Sequence, residues 1–177
     1  MTGDDRALVR RIVERRDPAA FAMLYARHTP VMYAMALRLV GNTLDAEDCV
    51  HDGWVRAIEG IARFRADSSV RTWLVGVVLN RVRESWRERD HLPLDDVPES
   101  AIGTPSLPHG VDALDLERAI ATLPRGYRAI LLLHDVEGFT HDEIGAMLGI
   151  DAGTSRSQLA RGRQRLRQAL SDHGGGR

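Results

Sequence analysis

Residues 90–115 carry six acids (Asp90, Asp95, Asp96, Glu99, Asp112 and Asp115), no arginine, and four of the chain's seven prolines (Pro93, Pro98, Pro105 and Pro108). No helical or alternating apolar period runs through this stretch, so it reads as an extended linker between two folded units. Fully stretched, residues 90–111 would reach roughly 70–80 Å at about 3.3–3.6 Å per residue, enough to seat two domains apart on a large partner. The expected division is a first domain over residues 1–89, the linker over 90–111, a second domain over 112–171 and a tail over 172–177. In a chain of 177 residues, each flanking segment is long enough to bury a core.

Both flanks read as helix throughout, and the predicted fold class is all-α. Residues 7–16 place Leu8, Ile12 and Val13 at helical spacing. Asp17-Pro18 supplies an N-cap followed by proline at the first helical position, opening a helix to Val40 that is expected to bend at Pro30. Asn42 to Asp45 forms a break, with Asp45 the expected cap of a helix reaching about Gly60. Ser68-Ser69 precede a helix to about Arg89. Beyond the linker come helices over 112–121 and 124–135, then a short one opened by the Thr140-x-x-Glu143 capping box. The last helix is expected over 152–170, stopping before the glycine run at 174–176.

Composition narrows the function classes. Twenty-four basic and twenty-five acidic residues nearly cancel, so any nucleic-acid site must be local rather than global. A single cysteine excludes a disulfide framework and a cysteine-based zinc site, and fits a reducing cytosol. Apolar runs such as residues 73–79 are far too short to span a membrane. The acidic start, Met-Thr-Gly-Asp-Asp, is not a signal peptide. These readings make the chain cytoplasmic, with no cofactor.

The C-terminal pair of helices, joined at Gly149-Ile150-Asp151, has helix-turn-helix spacing. At 100° per residue, Ala152, Ser155, Leu159, Gly162, Leu166, Ala169 and Leu170 fall on one buried arc of the last helix. Opposite lies a strip of short or neutral polar groups, Ser157, Ala160, Gln164 and Gln168. Arg156, Arg163 and Arg167 flank it on one side, Arg161 and Arg165 on the other. Flanking guanidiniums can hold phosphates while small polar groups approach base edges, which is what a major-groove helix needs. The alternative is a solvated basic helix or one that complements the acidic linker.

Two helices of the first half depart from simple amphipathicity. In residues 45–60, Val50, Trp54, Ala57 and Ile58 form the buried arc. Asp48, Asp52 and Glu59 form an acidic stripe around Val55, bordered by His51, which suits a basic or mixed protein surface or merely a solvated face. In residues 70–89, Leu74, Val75, Val77, Val78, Leu79, Val82 and Trp86 face inward, and Thr72, Trp73, Gly76, Asn80, Arg83 and Arg87 face outward. Trp73 beside Asn and Arg is a candidate stacking platform for unpaired bases, or else packs under the Pro30 bend or on the first helix. The preceding loop, Arg63-Phe64-Arg65-Ala66-Asp67-Ser68-Ser69, could hold a base drawn out of the stack. Cys49 reads as a small core residue.

The motifs Asp45-Ala46-Glu47-Asp48, His51-Asp52, Thr72-Trp73-Leu74 and Asn80-Arg81 occur in order in the first half. Leu123-Pro124, Glu143-Ile144-Gly145, Leu148-Gly149-Ile150, Gly153-Thr154 and Arg161-Gly162-Arg163 follow in the second. In this order, with the linker between, the chain resembles the extracytoplasmic-function (ECF) sigma factors, the minimal sigma-70 family subunits of bacterial RNA polymerase. The resemblance covers about residues 17–89 and 112–170. It implies a sigma-2 helical bundle and a sigma-4 helix-turn-helix joined by the acidic linker, which would thread through the polymerase. Asp45, Asp48, His51, Asp52, Val55 and Glu59 would bind core polymerase at the β′ clamp helices, with the β subunit a further contact. Arg63, Phe64, Arg65, Asp67, Ser68, Thr72, Trp73, Asn80, Arg83 and Arg87 would recognise and open the −10 element of promoter DNA. Thr154, Arg156, Ser157, Ala160, Arg161, Arg163, Gln164 and Arg165 would read the −35 element. The resemblance further implies a cognate anti-sigma factor and no catalytic or metal site.

The sequence departs from that family pattern at Ser155, where a buried valine is usual, and at Gly162, where alanine is common. Glycine alone costs about 1 kcal/mol in a helix interior, and both positions are expected to loosen the last helix until DNA or polymerase holds it. Two other readings stand beside the resemblance. A stand-alone helix-turn-helix regulator would explain the second half but leave the Trp73 face and the acidic stripe idle, and would usually bind a two-fold site as a dimer. A metal hydrolase could use the His-Asp pairs at His51-Asp52, His134-Asp135 and His141-Asp142, but the first is separated from the others by the linker.

Overall fold

The computed structural model describes residues 2–65, 67–90 and 113–174, with the side chains of 4–65, 67–88 and 115–171. The chain divides into two compact units, Met1–His91 and Leu92–Arg177. Among the described residues every regular element is helical, and no helix is long and apolar enough to cross a membrane. The expected linker, apart from Asp90 at the end of a helix, lies outside the described residues.

The first unit contains α1 (Thr2–Arg15), α2 (Pro18–Val40), α3 (Thr43–Gly60), a single 3-10 turn (Ile61–Arg63) and α4 (Val70–Asp90). Asp17 caps α2 by accepting from the Ala19 and Ala20 amides at 2.9 and 3.2 Å, with Pro18 at the first position as the sequence suggests. α2 runs through Pro30 as one helix and closes on Gly41 at φ +84°. α3 starts earlier than expected because Asn42, not Asp45, is its cap: Asn42 Oδ1 accepts from the Asp45 amide at 2.9 Å. Asp45 instead sits in the first turn, where a carboxylate favours the positive end of the helix dipole. Ser69 Oγ accepts from the Thr72 amide at 2.9 Å and so ends the loop and opens α4.

The core of this unit combines Leu8 of α1, Leu24, Met32, Met35 and Leu39 of α2, Trp54 and Ala57 of α3, and Leu74, Val78, Leu79, Val82 and Trp86 of α4. Each large apolar side chain so buried contributes about 1.5–3 kcal/mol relative to exposure. Gly76, read as facing outward on α4, is buried, and two apolar assignments shift. Val9 replaces Val13 on the inner face of α1, leaving Val13 41% exposed. On α3 the buried line runs through Ala46, Cys49, Val50, Gly53, Trp54, Ala57 and then Ile61, so Ile58 lies beyond its edge and is 47% exposed. Cys49 is buried as expected, and that burial raises its thiol above the ordinary value. α1 is fastened to α2 by charge: Arg27 pairs with Asp4 at 2.8 Å and with Asp5, and buried His28 Nε2 meets Asp5 Oδ2 at 3.0 Å.

The second unit contains α5 (Ala113–Thr122), α6 (Arg125–Leu131), α7 (His141–Leu148) and α8 (Ala152–Gly174). The expected helix over 124–135 changes pitch: Leu132–Val136 form a wider π turn after α6. Ile130, Leu132, Leu133 and Ile144 are fully buried, with Leu123, Tyr127, Phe139, Leu159, Leu166 and Leu170 around them. The capping box forms as read: Thr140 Oγ1 accepts from the Glu143 amide at 3.3 Å, and Glu143 Oε2 accepts from the Thr140 amide at 2.9 Å. α7 ends at Gly149, whose φ of +71° a side chain would strain. α8 continues to Gly174, past the stop expected from the glycine run.

Candidate nucleic-acid interface

α8 begins where Asp151 Oδ1 accepts from the Thr154 amide at 2.8 Å and Oδ2 accepts from the Thr154 hydroxyl at 2.6 Å. These two bonds hold the Asp151 carboxyl below its ordinary range and fix the first turn. Ser155, Leu159, Gly162, Leu166 and Leu170 face inward, as the helical wheel requires. Ser157, Ala160 and Gln168 are exposed opposite them, and Gln164 is half-buried. The strip therefore exists, and Arg156 stands exposed beside it, with Arg161 half-buried.

Ser155 and Gly162 each meet a neighbour in space. Ser155 is fully buried, but its Oγ lies 3.0 Å from His141 Nδ1, so the polar group has a partner where it would otherwise cost free energy. A Cβ on Gly162 would stand 3.3 Å from Tyr127 Cβ, so glycine is what lets α8 come this close to α6. Two flanking arginines are also already engaged. Arg163 donates its Nε and Nη2 to Asp135 at 2.9 and 2.5 Å, and the Arg165 guanidinium lies over the Tyr127 ring, 5.4 Å from its centre.

The aromatic residues singled out in the first unit meet one another. Trp73 and Phe64 pack with ring centres 5.3 Å apart at 45°, and the edge of Trp73 lies 3.6 Å from the place a Cβ on Gly60 would occupy. Both rings are half-buried. Trp73 thus packs on the loop and the end of α3. Arg63, Arg65 and Asp67 are exposed around this pair and Ser68 is half-buried. Thr72 is turned inward, 6% exposed, with its hydroxyl 2.7 Å from that of Ser69; it supports the loop rather than facing outward.

Further along α4, Asn80, Arg83 and Arg87 share a groove of about 240 Å³ with Arg56, Val77 and Glu84. Arg56 forks onto Glu84 at 2.7–2.8 Å and holds its carboxyl below the ordinary range. Sequence reasoning missed both. Glu84 was discoverable, four residues beyond Asn80 on the same face, whereas Arg56 arrives from α3 through packing alone.

On α3, Asp48, His51, Val55 and Glu59 are exposed. Asp52 is half-buried and receives the Arg81 Nε at 2.8 Å. Ile58 joins Val55 at the surface, while Tyr25 of α2, 43% exposed, rests on Trp54 with ring centres 5.0 Å apart. The face is therefore more apolar than the sequence implies. Of the three His-Asp pairs, His51-Asp52 belongs to the first unit, and His134 and His141 stack on each other in the second. Among the described residues no three ligating side chains gather in a way that could hold a metal.

Comparison with known proteins gives this geometry a context. Residues 24–91 match sigma-70 region 2, and residues 113–166 match sigma-70 region 4. The chain is 32% identical over 158 residues to the ECF RNA polymerase sigma factor SigE of Mycolicibacterium smegmatis, covering 85% of this chain and 61% of that protein. It is 32% identical over 157 residues to SigM of Mycobacterium tuberculosis, covering 87% of this chain and 79% of that one. Among solved structures, CnrH in complex with the cytosolic domain of CnrY is similar at a TM-score of 0.68 and 27% identity, over 96% of this chain and 98% of that chain. RpoE in complex with the anti-sigma factor NepR, from Bartonella quintana, is similar at a TM-score of 0.68 and 25% identity, over 85% and 96%.

Proposed function

Because this chain belongs to the ECF sigma factors of the sigma-70 family, we propose that it binds bacterial core RNA polymerase, directs it to promoters through −10 and −35 elements, and helps open the DNA. One observation carries the reading. The two matched regions fall on separate helical units, and the second ends in a helix whose polar strip is exposed beside Arg156.

In this reading α8 enters the major groove. Ser157, Ala160 and Gln164 approach base edges, and Arg156 and Arg161 hold the backbone, with Thr154, Arg163 and Arg165 at the margin. The −10 element meets the first unit along α4 and the loop before it. Phe64 and Trp73 offer a paired aromatic surface to an unpaired base, and Arg63, Arg65, Arg83 and Arg87 supply charge to the single strand. Asp67, Ser68 and Asn80 supply hydrogen-bonding groups, and Thr72 braces the loop. The exposed face of α3, with Asp48, His51, Val55 and Glu59, docks on the β′ clamp helices; Asp45 and Asp52 lie at its edge. The linker threads through the polymerase. CnrH and RpoE, the structural neighbours, were solved with CnrY and with NepR, which supports a cognate anti-sigma partner here. The site of action is the cytoplasm.

The test is co-elution of the purified chain with core RNA polymerase. Stoichiometric binding supports the reading. A wild-type chain that fails to bind, with any inhibitory partner removed, overturns it in favour of a stand-alone helix-turn-helix regulator.

A further inference from the structure

Two residues of α8, eight positions apart, are joined by a path that leaves the helix. Ser155, fully buried, lies 3.0 Å from His141 Nδ1 on the first residue of α7. The His141 ring stacks on His134, with ring centres 4.5 Å apart and planes 23° apart. His134 Nδ1 is 2.9 Å from Asp135 Oδ1, within the π turn after α6. Asp135 then receives Arg163 Nε and Nη2, back on α8 and about two turns from Ser155. The fork uses one edge of the guanidinium. The remaining edge, Nη1 and the outer N–H of Nη2, is turned away from the carboxylate, and the Arg163 side chain is 46% exposed.

An arginine that must find a phosphate from a flexible start loses rotamer freedom on binding; one already held in a fork loses less. A carboxylate beside it has the opposite tendency, since it repels DNA and competes for the guanidinium. Here that tendency is blunted. Asp135 is neutralised by Arg163, it is 28% exposed, and His134 takes a share of the same oxygen. Burial pushes its carboxyl up, but the hydrogen bonds from Arg163 and His134 outweigh burial and keep it ionised below the ordinary range.

We propose that Asp135 is a positioning residue that presets Arg163 as a phosphate donor for α8, and that the His134–His141–Ser155 path fixes Asp135 to the buried side of that helix. The inference rests on reading α8 as the DNA-contacting helix and adds the residue that holds its flank. The class of ligand is the DNA backbone phosphate, so Asp135 sets affinity and salt dependence rather than base preference.

The experiment uses the full chain assembled with core polymerase and a promoter fragment selected by that holoenzyme from a random-sequence pool, with affinity measured across a salt series. Asp135→Asn should bind roughly fivefold more weakly, the size of one partly exposed charge-assisted contact. It should also flatten the log–log salt slope by about 0.9, the contribution of one phosphate. Asp135→Glu should retain most of both, and Arg163→Lys, which cannot fork, should match Asp135→Asn. The double variant Asp135→Asn/Arg163→Lys should be no weaker than either single one. Arg156→Ala separates the two levels. If it leaves promoter binding unchanged, the α8 reading fails; if it weakens binding while Asp135→Asn does not, only the positioning role fails. Tighter binding with a steeper slope in Asp135→Asn would make Asp135 a competitor of DNA and overturn the proposal, as would additive losses in the double variant.

Discussion

Arg81 of α4 donates its Nε to Asp52 of α3 across 2.8 Å. This pair divides the acidic face of α3 into two kinds of carboxylate. Asp48 and Glu59 are exposed toward solvent, whereas Asp52 helps to hold two helices together. Substitutions at Asp48 and Asp52 should therefore fail in different ways. Asp48→Arg should abolish co-elution with core polymerase and leave denaturant unfolding within about 0.5 kcal/mol of wild type. Asp52→Asn should cost about 0.5–1 kcal/mol in the same unfolding experiment, because the pair is only partly shielded from water. Equal loss of stability in both variants would mean that Asp48 also serves the fold.

The contact between Trp73 and Phe64 gives a second test. Trp73→Ala should slow promoter opening, read by permanganate reactivity of unpaired thymines, more than it weakens the closed complex. Base–aromatic stacking is worth about 1–3 kcal/mol, so a loss of roughly 5- to 150-fold in open complex is expected, with Trp73→Phe intermediate. If Trp73→Ala loses just as much on a premelted template, the ring serves to support Phe64 and the end of α3.

Arg156→Ala should weaken promoter binding by the holoenzyme about tenfold and reduce the salt slope by about one phosphate, with core binding unchanged. The same measurement on Arg165→Ala should show less, because that guanidinium already lies over Tyr127. A larger effect at Arg165 than at Arg156 would reverse the orientation assigned to α8.

Stability should fall on mild acidification. Burial lowers the pKa of His28 below 6.5 against the pull of Asp5. Burial lowers that of His141 below 6.5 too, helped by His134, Arg156 and Arg163. The unfolded chain takes up protons as pH drops through 6.5 while the native groups resist, so this stability is present above that pH and is lost below it as pH approaches the folded values. The slope from one such group cannot exceed about 1.4 kcal/mol per pH unit. Denaturant unfolding between pH 7.5 and 5.5 should show the decline, and His28→Gln should flatten it. A profile that is flat in the wild type, or equally steep in the variant, would assign the titration elsewhere.

The sequence was most legible where the cause is local. Asp17-Pro18, the Thr140/Glu143 box and Gly149 each act within one turn of chain, and each forms as read. The inner line of α8 was equally legible, because periodicity alone determines it. What escaped depended on neighbours in space. Ile58 has the spacing of a core residue, but it is 47% exposed. Ser155 and Gly162 looked like weaknesses because their compensations, His141 and Tyr127, lie 14 and 35 residues away. Among the candidate DNA residues, the wheel marked the arginines but could not show that Asp135 and Tyr127 had engaged two of them. Nor could it show that Trp73 and Phe64, chosen for separate reasons, touch.

The match to region 2 starts at residue 24, yet α1 lies before it and sends Leu8 and Asp5 into the first unit. Removing α1 would leave every matched residue in place while depriving His28 of its carboxylate and opening one side of α2. The region 2 match and the segment that must be present for the bundle to close therefore differ by one helix. The edge of that match does not mark where the bundle can be cut.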